Sequence, residues 1–364
     1  MKHLVLFAAV LFLLLAFAWG VVGHAGPQPA TSGYKVLAPI HNGNLTVFPI
    51  VAATNYDTTQ FITLDDGLHS GEVIVTEAGN IQPMVRRRPQ VQRPYSSDGA
   101  QVNTLMLVNN SKRPLLLLAG EIVTGGKQDR VIGKDRLVPA ESDPIDLGVF
   151  CVEPGRWVQT SSKFDVLGAT AMAAPGVRGR AMADKDQAKV WSQVRQAQHE
   201  VVGSVPMSSS ETVEVQATSS YAKVMDNKAV QKQLDSVARP IEKSYLSVIK
   251  QLRDRNAIGV VVAVNGEIVW ADIFASTDML QKYWPKLVRS YAAEAIISRA
   301  GNKEVSESSA QAFLDDMEGR HESVESEPGL YRHTEITGDG FKVFELTALL
   351  PKTGFDLHVA KMAN

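Results

Sequence analysis

From residue 34 to about residue 160 the chain consists of short apolar runs broken by turn residues. The runs at 45–51, 72–76, 105–108, 115–119 and 149–152 have strand length. Between them lie the turn pairs Asn42-Gly43, Asp66-Gly67, Asp98-Gly99, Gly125-Gly126 and Pro154-Gly155, the residues that hairpin connections require. This half is predicted to be a β-rich antiparallel sheet or sandwich. Residues 168–183 are rich in Gly, Ala, Met and Pro, with Arg178 and Arg180 interspersed and no usable period, which reads as a mobile linker or loop.

Helical spacing follows over residues 186–202, then a Ser-rich break at 207–210. A longer helix is predicted over about 221–255, with Leu234, Val237, Ile241, Tyr245, Val248 and Leu252 on one stripe and Pro240 kinking or dividing it. The runs 258–264 and 267–274 flank Asn265-Gly266, the strongest short hairpin signal in the chain. The next helix is capped near Thr277 or Asp278, turns Leu280, Tyr283, Leu287 and Tyr291 inward, and has its start reset by Pro285. Residues 301–329 are Ser- and Glu-rich and read as exposed, with a short helix over 310–317; final strands are predicted over 341–349 and 355–359. The class is α+β: a β-rich half over 34–160, a helical segment with hairpin and helix over 184–300, the exposed segment, and C-terminal strands over 330–364 that return to the sheet.

The N-terminus changes the compartment. Lys2 precedes an apolar run from Leu4 to Val22, and Gly23 and Ala25 fit a small-x-small cleavage site, so residues 1–25 read as a secretory signal. The alternative is an uncleaved anchor; either way the body is expected to be exported, periplasmic or secreted. No later run reaches transmembrane length. The one cysteine, Cys151, excludes an intramolecular disulfide and leaves no thiol near the signal to carry a lipid. With 37 basic and 39 acidic residues, the chain does not read as a general nucleic-acid binder.

Two strings carry a family resemblance: Ala119-Gly120-Glu121-Ile122-Val123-Thr124-Gly125-Gly126-Lys127-Gln128-Asp129-Arg130, and Cys151-Val152-Glu153-Pro154-Gly155-Arg156-Trp157. With Ser70-Gly71-Glu72-Val73-Ile74-Val75-Thr76-Glu77 before them, and Val190-Trp191, Asn265-Gly266 and Trp284-Pro285-Lys286-Leu287 after, the chain resembles the ARG and Rhodanese-Phosphatase-superfamily-associated protein domain over residues 34–300. That family is uncharacterised; the genes it accompanies imply phosphate or ADP-ribose metabolism, an implication that export weakens. Residues 86–103, with Arg86-Arg87-Arg88, look like an insertion, and Gly126 and Asp129 stand where Ala and Asn are more typical.

The Gly-Gly-Lys segment invites comparison with a phosphate-binding loop, but counting from Gly120 puts Gly126 where the lysine belongs, and Gln128 supplies no hydroxyl for magnesium. What remains is an anion site built from Lys127, Arg130, Lys134 and Arg136, set against a solvated hairpin in which these cations pair with Asp129 and Asp135. Cys151, in an apolar run, reads as buried and structural rather than nucleophilic. His41, His69, His333 and His358 have no ligand spacing, and His199-Glu200 and His321-Glu322 both lack the second histidine of a zincin helix, so no metal or cofactor is expected. Arg86 to Arg88 with Arg93 form a basic cluster, read as an exposed loop against a contact with anionic lipid or polysaccharide.

Glu121, Lys127, Gln128, Arg130, Glu153 and Arg156 are expected around one polar site at a sheet edge, with Lys127 and Arg130 as ligand contacts. Glu153 and Arg156 are expected to form an ion pair bracing the turn, with Trp157 packed beneath it. Three functions stay open: a noncatalytic exported protein that binds an anionic small molecule or envelope component, a hydrolase for a phosphate-containing or ADP-ribose-like substrate, and a scaffold for protein contacts. No nucleic acid is expected as partner, membrane contact is expected only through an uncleaved signal, and the oligomeric state is open. N-terminal sequencing of the exported protein should find a mature chain beginning near Gly26; an intact Met1 in the exported membrane fraction would establish an anchor instead.

Overall fold

The structure is a computed structural model describing residues 33–78, 103–166, 172–298, 301 and 303–364. The signal, the Asp98-Gly99 turn, the Arg86 to Arg93 cluster and all but Asn103 of the insertion lie outside the described residues. Among the described residues the class is α+β, with eighteen strands and eight α-helices. The β-rich N-terminal half comprises β1 (Tyr34–Val36), β2 (Ile40–Asn42), β3 (Leu45–Ala52), β4 (Ile62–Thr63), α1 (Leu64–Ser70), β5 (Val73–Thr76), β6 (Thr104–Asn109), β7 (Leu115–Leu117), β8 (Ile122–Gly125), β9 (Arg130–Ile132), β10 (Arg136–Val138), β11 (Ile145–Cys151) and β12 (Phe164–Asp165). The helical middle holds α2 (Pro175–Gly179), a π-helical turn (Arg180–Asp184), α3 (Gln187–Ser204), α4 (Ser209–Ala217), α5 (Tyr221–Asp226) and α6 (Lys228–Gln251). The remainder is β13 (Asn256–Val264), β14 (Glu267–Phe274), α7 (Thr277–Ile297), α8 (Glu307–Asp315), β15 (His321–Glu327), β16 (Tyr331–Thr337), β17 (Phe341–Ala348) and β18 (Asp356–Ala363).

The strands do not segregate by position in the sequence. A nine-stranded sheet runs in the order β1-β3-β13-β14-β18-β17-β16-β15, with β2 also on β3, so β3 pairs antiparallel with β13 across some two hundred residues. β13, with all but its first residue buried, is apolar on both faces because both are covered. On one face Leu45, Val47, Val260, Val262 and Leu346 pack against helical residues such as Val194, Leu234, Ile241 and Leu287. On the other, Phe48, Ile50, Val261, Ile273 and Val343 pack with Ala310 and Leu314 of α8. The inserted strands β4 to β12 form a three-stranded and a six-stranded sheet around a core of their own that includes Val75, Leu107, Leu117, Ile132 and Val149.

Stretches that lacked a readable period are ordered by polar contacts made at long range. Residues 172–183 are no loop: Pro175 starts α2 with its missing N–H at a position that has no helical partner, and Arg178 is wholly buried. Its guanidinium forks onto Asp272 of β14 at 2.9 and 3.0 Å. Asp272 also accepts from Tyr291 of α7 and contacts His358 Nε2 at 3.0 Å, while His358 Nδ1 lies 2.5 Å from Asp135 and Asp135 accepts the Ala119 N–H at 2.7 Å. Arg178, Asp272, His358 and Asp135 all have zero exposure, and they come from α2, β14, β18 and the turn before β10. Burial alone would raise the Asp272 carboxyl, but Arg178 and His358 outweigh it and hold it far below the usual range. Burial alone would lower the His358 ring, but Asp135 and Asp272 raise it to about 9.

Three further readings are corrected. The helical run after Tyr221 divides at Asn227, which caps α6, and not at Pro240, which lies inside α6. A proline at 240 leaves the carbonyl of Ser236 without its helical donor; Asn42 of β2 donates to Ser236 at 2.9 Å and to Val237 at 3.0 Å, so the helix continues. Pro285 likewise lies within α7, whose N-cap is Ser276. The Ser/Glu-rich segment is exposed but ends in β15, an edge strand in register with β16 and rich in charge, as exposed edges commonly are.

Replacing Arg178 with Met should cost about 3–5 kcal/mol in urea denaturation at pH 7, since it strands a buried carboxylate. A loss below about 1 kcal/mol would show that the buried charges are not needed for the fold.

Candidate functional site

The second motif and the end of the first meet at one corner of the inserted β-unit. β8 and β9 form a hairpin whose turn holds Gly125 and Gly126 at φ of 126° and 48°. A Cβ on Gly126 would lie 2.3 Å from the Phe164 ring and 2.7 Å from Glu77, so this glycine serves close packing. β9 pairs with β11, placing Arg130 opposite Cys151, and the chain then turns at Pro154-Gly155 to deliver Arg156 back onto the hairpin. The α3 and α5 helices pin this end: the Gln187 side-chain amide bonds both backbone groups of Cys151, and the Tyr221 N–H donates to Val152.

Arg156 is the hub. It pairs with Glu153 at 2.5 Å and with Asp129 at 3.3 Å, and donates to the carbonyls of Gly126 at 3.0 Å and Val158 at 2.9 Å. Glu153 also accepts the Asp129 N–H at 3.1 Å; Asp129 accepts from Gly125 at 3.2 Å and from Ser220, the N-cap of α5, at 2.6 Å. Gln128 donates to the Glu153 carbonyl at 3.1 Å, and Glu77 accepts the Lys127 N–H at 2.8 Å. Burial, with the nearby Glu153 charge, raises the Asp129 carboxyl despite the Ser220 bond. Burial works against the Arg156 cation, but Glu153 and Asp129 outweigh it and raise its pKa.

Five of the six expected residues, Lys127, Gln128, Arg130, Glu153 and Arg156, are thus brought together. Glu121 is placed elsewhere, about 13 Å away at the far end of β8, wholly buried on Lys286 at 2.5 Å. Lys286 also contacts Asp65 at 2.8 Å, and burial raises the Glu121 carboxyl in spite of the lysine. The ion pair between Glu153 and Arg156 is present, but Trp157 is not packed beneath the turn: it is 44% exposed, with the Lys127 ammonium 5.0 Å above its ring. Lys134 and Arg136 leave the expected cation set to meet Glu325 and Glu327 of β15, while Asp129 and Asp135 are taken by Arg156 and His358.

A groove of about 440 Å³ adjoins the turn, bordered by Pro154 and Gly155, by Val194, Arg195 and Gln198 of α3, and by the end of α4 through Ser219. Arg195 is its only charged lining residue and, among the described residues, has no acidic partner. Glu77, Ser220 and Arg195 are the residues that sequence reasoning missed. Glu77 closes a quoted string, but its contact with Lys127 spans fifty positions and leaves no local signal. Among the described residues no group of three His, Cys, Asp or Glu is placed to hold a metal.

Residues 33–360 match the family described as ARG and Rhodanese-Phosphatase-superfamily-associated Protein domain. The chain belongs to this family. The match runs through the C-terminal strands of the main sheet, where His358 supplies part of the buried charge network. No curated protein and no solved structure matches the chain.

Cys151 of this family member is buried, its sulfur accepts the Glu153 N–H at 3.4 Å, and burial raises its thiol pKa. A thiol reagent at pH 7.5 should label the native protein about two orders of magnitude more slowly than the urea-unfolded chain. Equal rates would make Cys151 an accessible nucleophile.

Proposed function

We propose that this chain is an exported protein that binds an anionic ligand or envelope component at the corner built by its two family motifs, without catalysing a reaction on it. The observation that carries the reading is an imbalance of commitments. Every carboxylate of the corner is engaged by backbone, a hydroxyl or Arg156: Glu77 by the Lys127 N–H, Asp129 by the Gly125 N–H and the Ser220 hydroxyl, Glu153 by the Asp129 N–H. The cations Lys127 and Arg195, by contrast, have no acidic partner among the described residues. The groove volume falls in the range of small-molecule sites, and its lining contains no acid. Export rests on the apolar run and small residues before Gly26.

The hydrolase reading asks for a buried carboxylate beside Lys127 in a deep pocket. Glu77 supplies the first half, but its Oε1 is engaged by the Lys127 backbone N–H. The scaffold reading asks for a broad apolar patch; among the described residues the large exposed apolar side chains are Tyr56, Trp157, Val158, Val213, Leu246 and Val324.

Calorimetric titration of the mature protein with inorganic phosphate, ADP-ribose and heparin tests the reading. At least one is expected to bind saturably. The Lys127→Ala/Arg195→Ala double variant should weaken that binding about tenfold or more while changing stability by only about half a kcal/mol, because neither side chain is buried. Affinity unchanged in the double variant would contradict the site, and release of product from ADP-ribose would replace binding with hydrolysis.

A further inference from the structure

Arg130 is the most unusual side chain of the corner. It stands on β9 between Val123 of β8 and Cys151 of β11, and its side chain has zero exposure. Among the described residues its one side-chain hydrogen bond is from Nη1 to the Asp129 carbonyl at 3.5 Å. Nε and Nη2, the two nitrogens that form the side-on edge of a guanidinium, are buried and have no partner. A guanidinium cannot shed its charge as a lysine can, so burial presses on it without relief; burial lowers its pKa while Cys151 and Glu77 support the cation.

The neighbouring acids do not fill that edge. Both oxygens of Asp129 are committed, Oδ1 to Gly125 and Arg156 and Oδ2 to Ser220, and Glu153 Oε2 holds Arg156 and the Asp129 N–H. Glu77 is close enough for its charge to act on Arg130, but one of its oxygens is fixed on Lys127 and the other has no hydrogen bond. The corner thus holds a desolvated planar fork, and a fork of this shape matches two oxygens of one oxyanion better than a spherical ion or a single water.

We propose that Arg130 is an interior receptor for a small oxyanion, a phosphate, sulfate or carboxylate group, gripped side-on through Nε–H and Nη2–H. This rests on the anion-binding reading above and specifies the chemical class of the bound group. The receptor selects by geometry: oxyanions are bound and halides are not. Lysine at position 130 keeps the charge and loses the fork.

The test is calorimetric titration of the mature protein with phosphate, sulfate, acetate and chloride at constant ionic strength, repeated on Arg130→Lys and Lys243→Ala. The wild-type protein should bind one or more of the oxyanions saturably and chloride not at all. Arg130→Lys should lose that binding by tenfold or more, and Lys243→Ala, an exposed cation of α6 away from the corner, should retain it. Wild-type protein that binds none of the three oxyanions would overturn this proposal, and failure to bind ADP-ribose and heparin as well would remove the anion-binding reading with it. Oxyanion binding that survives unchanged in Arg130→Lys would overturn the proposal alone. Should that variant fail to fold, the Nε–H resonance of Arg130 in the wild-type protein decides: it shifts on saturation with the bound oxyanion if the proposal holds, and an unmoved resonance refutes it.

Discussion

The contact between Arg178 and Asp272, extended through His358 to Asp135, is the constraint on which the remaining architecture depends. These four groups have no exposure and are drawn from parts of the chain that lie far apart in sequence. With His358 protonated the set holds two cations and two carboxylates, and the carboxylates take further donors from Tyr291 and Ala119. Charges removed from water are tolerated only when balanced and bonded in this way, and losing one member leaves another uncompensated. The network therefore fixes how α2, α7, the main sheet and the inserted β-unit meet, a fit that apolar packing alone specifies less sharply.

Much of the first family motif is explained by this junction. Ala119 donates its N–H to Asp135; Gly120, at φ of 93°, leaves room for Arg178, since a Cβ there would lie 2.4 Å from the arginine Cγ; Glu121 closes on Lys286. Three consecutive residues thus serve the interior. The rest of the motif begins at Gly125, where the chain leaves β8 and meets the Glu153 to Trp157 turn. The family strings accordingly serve two places, the buried charge junction at one end of β8 and the polar corner around Arg156 at the other.

What the sequence made legible were features whose cause is local. The Asn265-Gly266 hairpin follows from residues that tolerate left-handed backbone, the strands from alternation, and the Glu153 to Arg156 pair from a spacing of three across a Pro-Gly turn. Arg178 was opaque because its partner lies 94 positions away and its neighbours are too small to show a period. The uninterrupted course of α6 through Pro240 depends on Asn42, nearly two hundred positions earlier. Within the site, the clustering of Lys127, Gln128, Arg130, Glu153 and Arg156 was readable from the motif strings. Glu121 was misplaced because a charged residue at a strand end looks exposed, and its match to Lys286 on α7 is purely tertiary.

The protonation state of His358 tests the buried network most directly. With its pKa raised from 6.5 to about 9, the ring contributes stability that is fully present below pH 6.5 and is lost as pH rises through about 9. Over that window the contribution amounts to about 3 kcal/mol. Nitrogen-15 NMR of the His358 ring across pH 5–10 is predicted to show both nitrogens protonated up to about pH 9. A ring that titrates near its ordinary value, with one nitrogen bare at pH 8, would contradict the account.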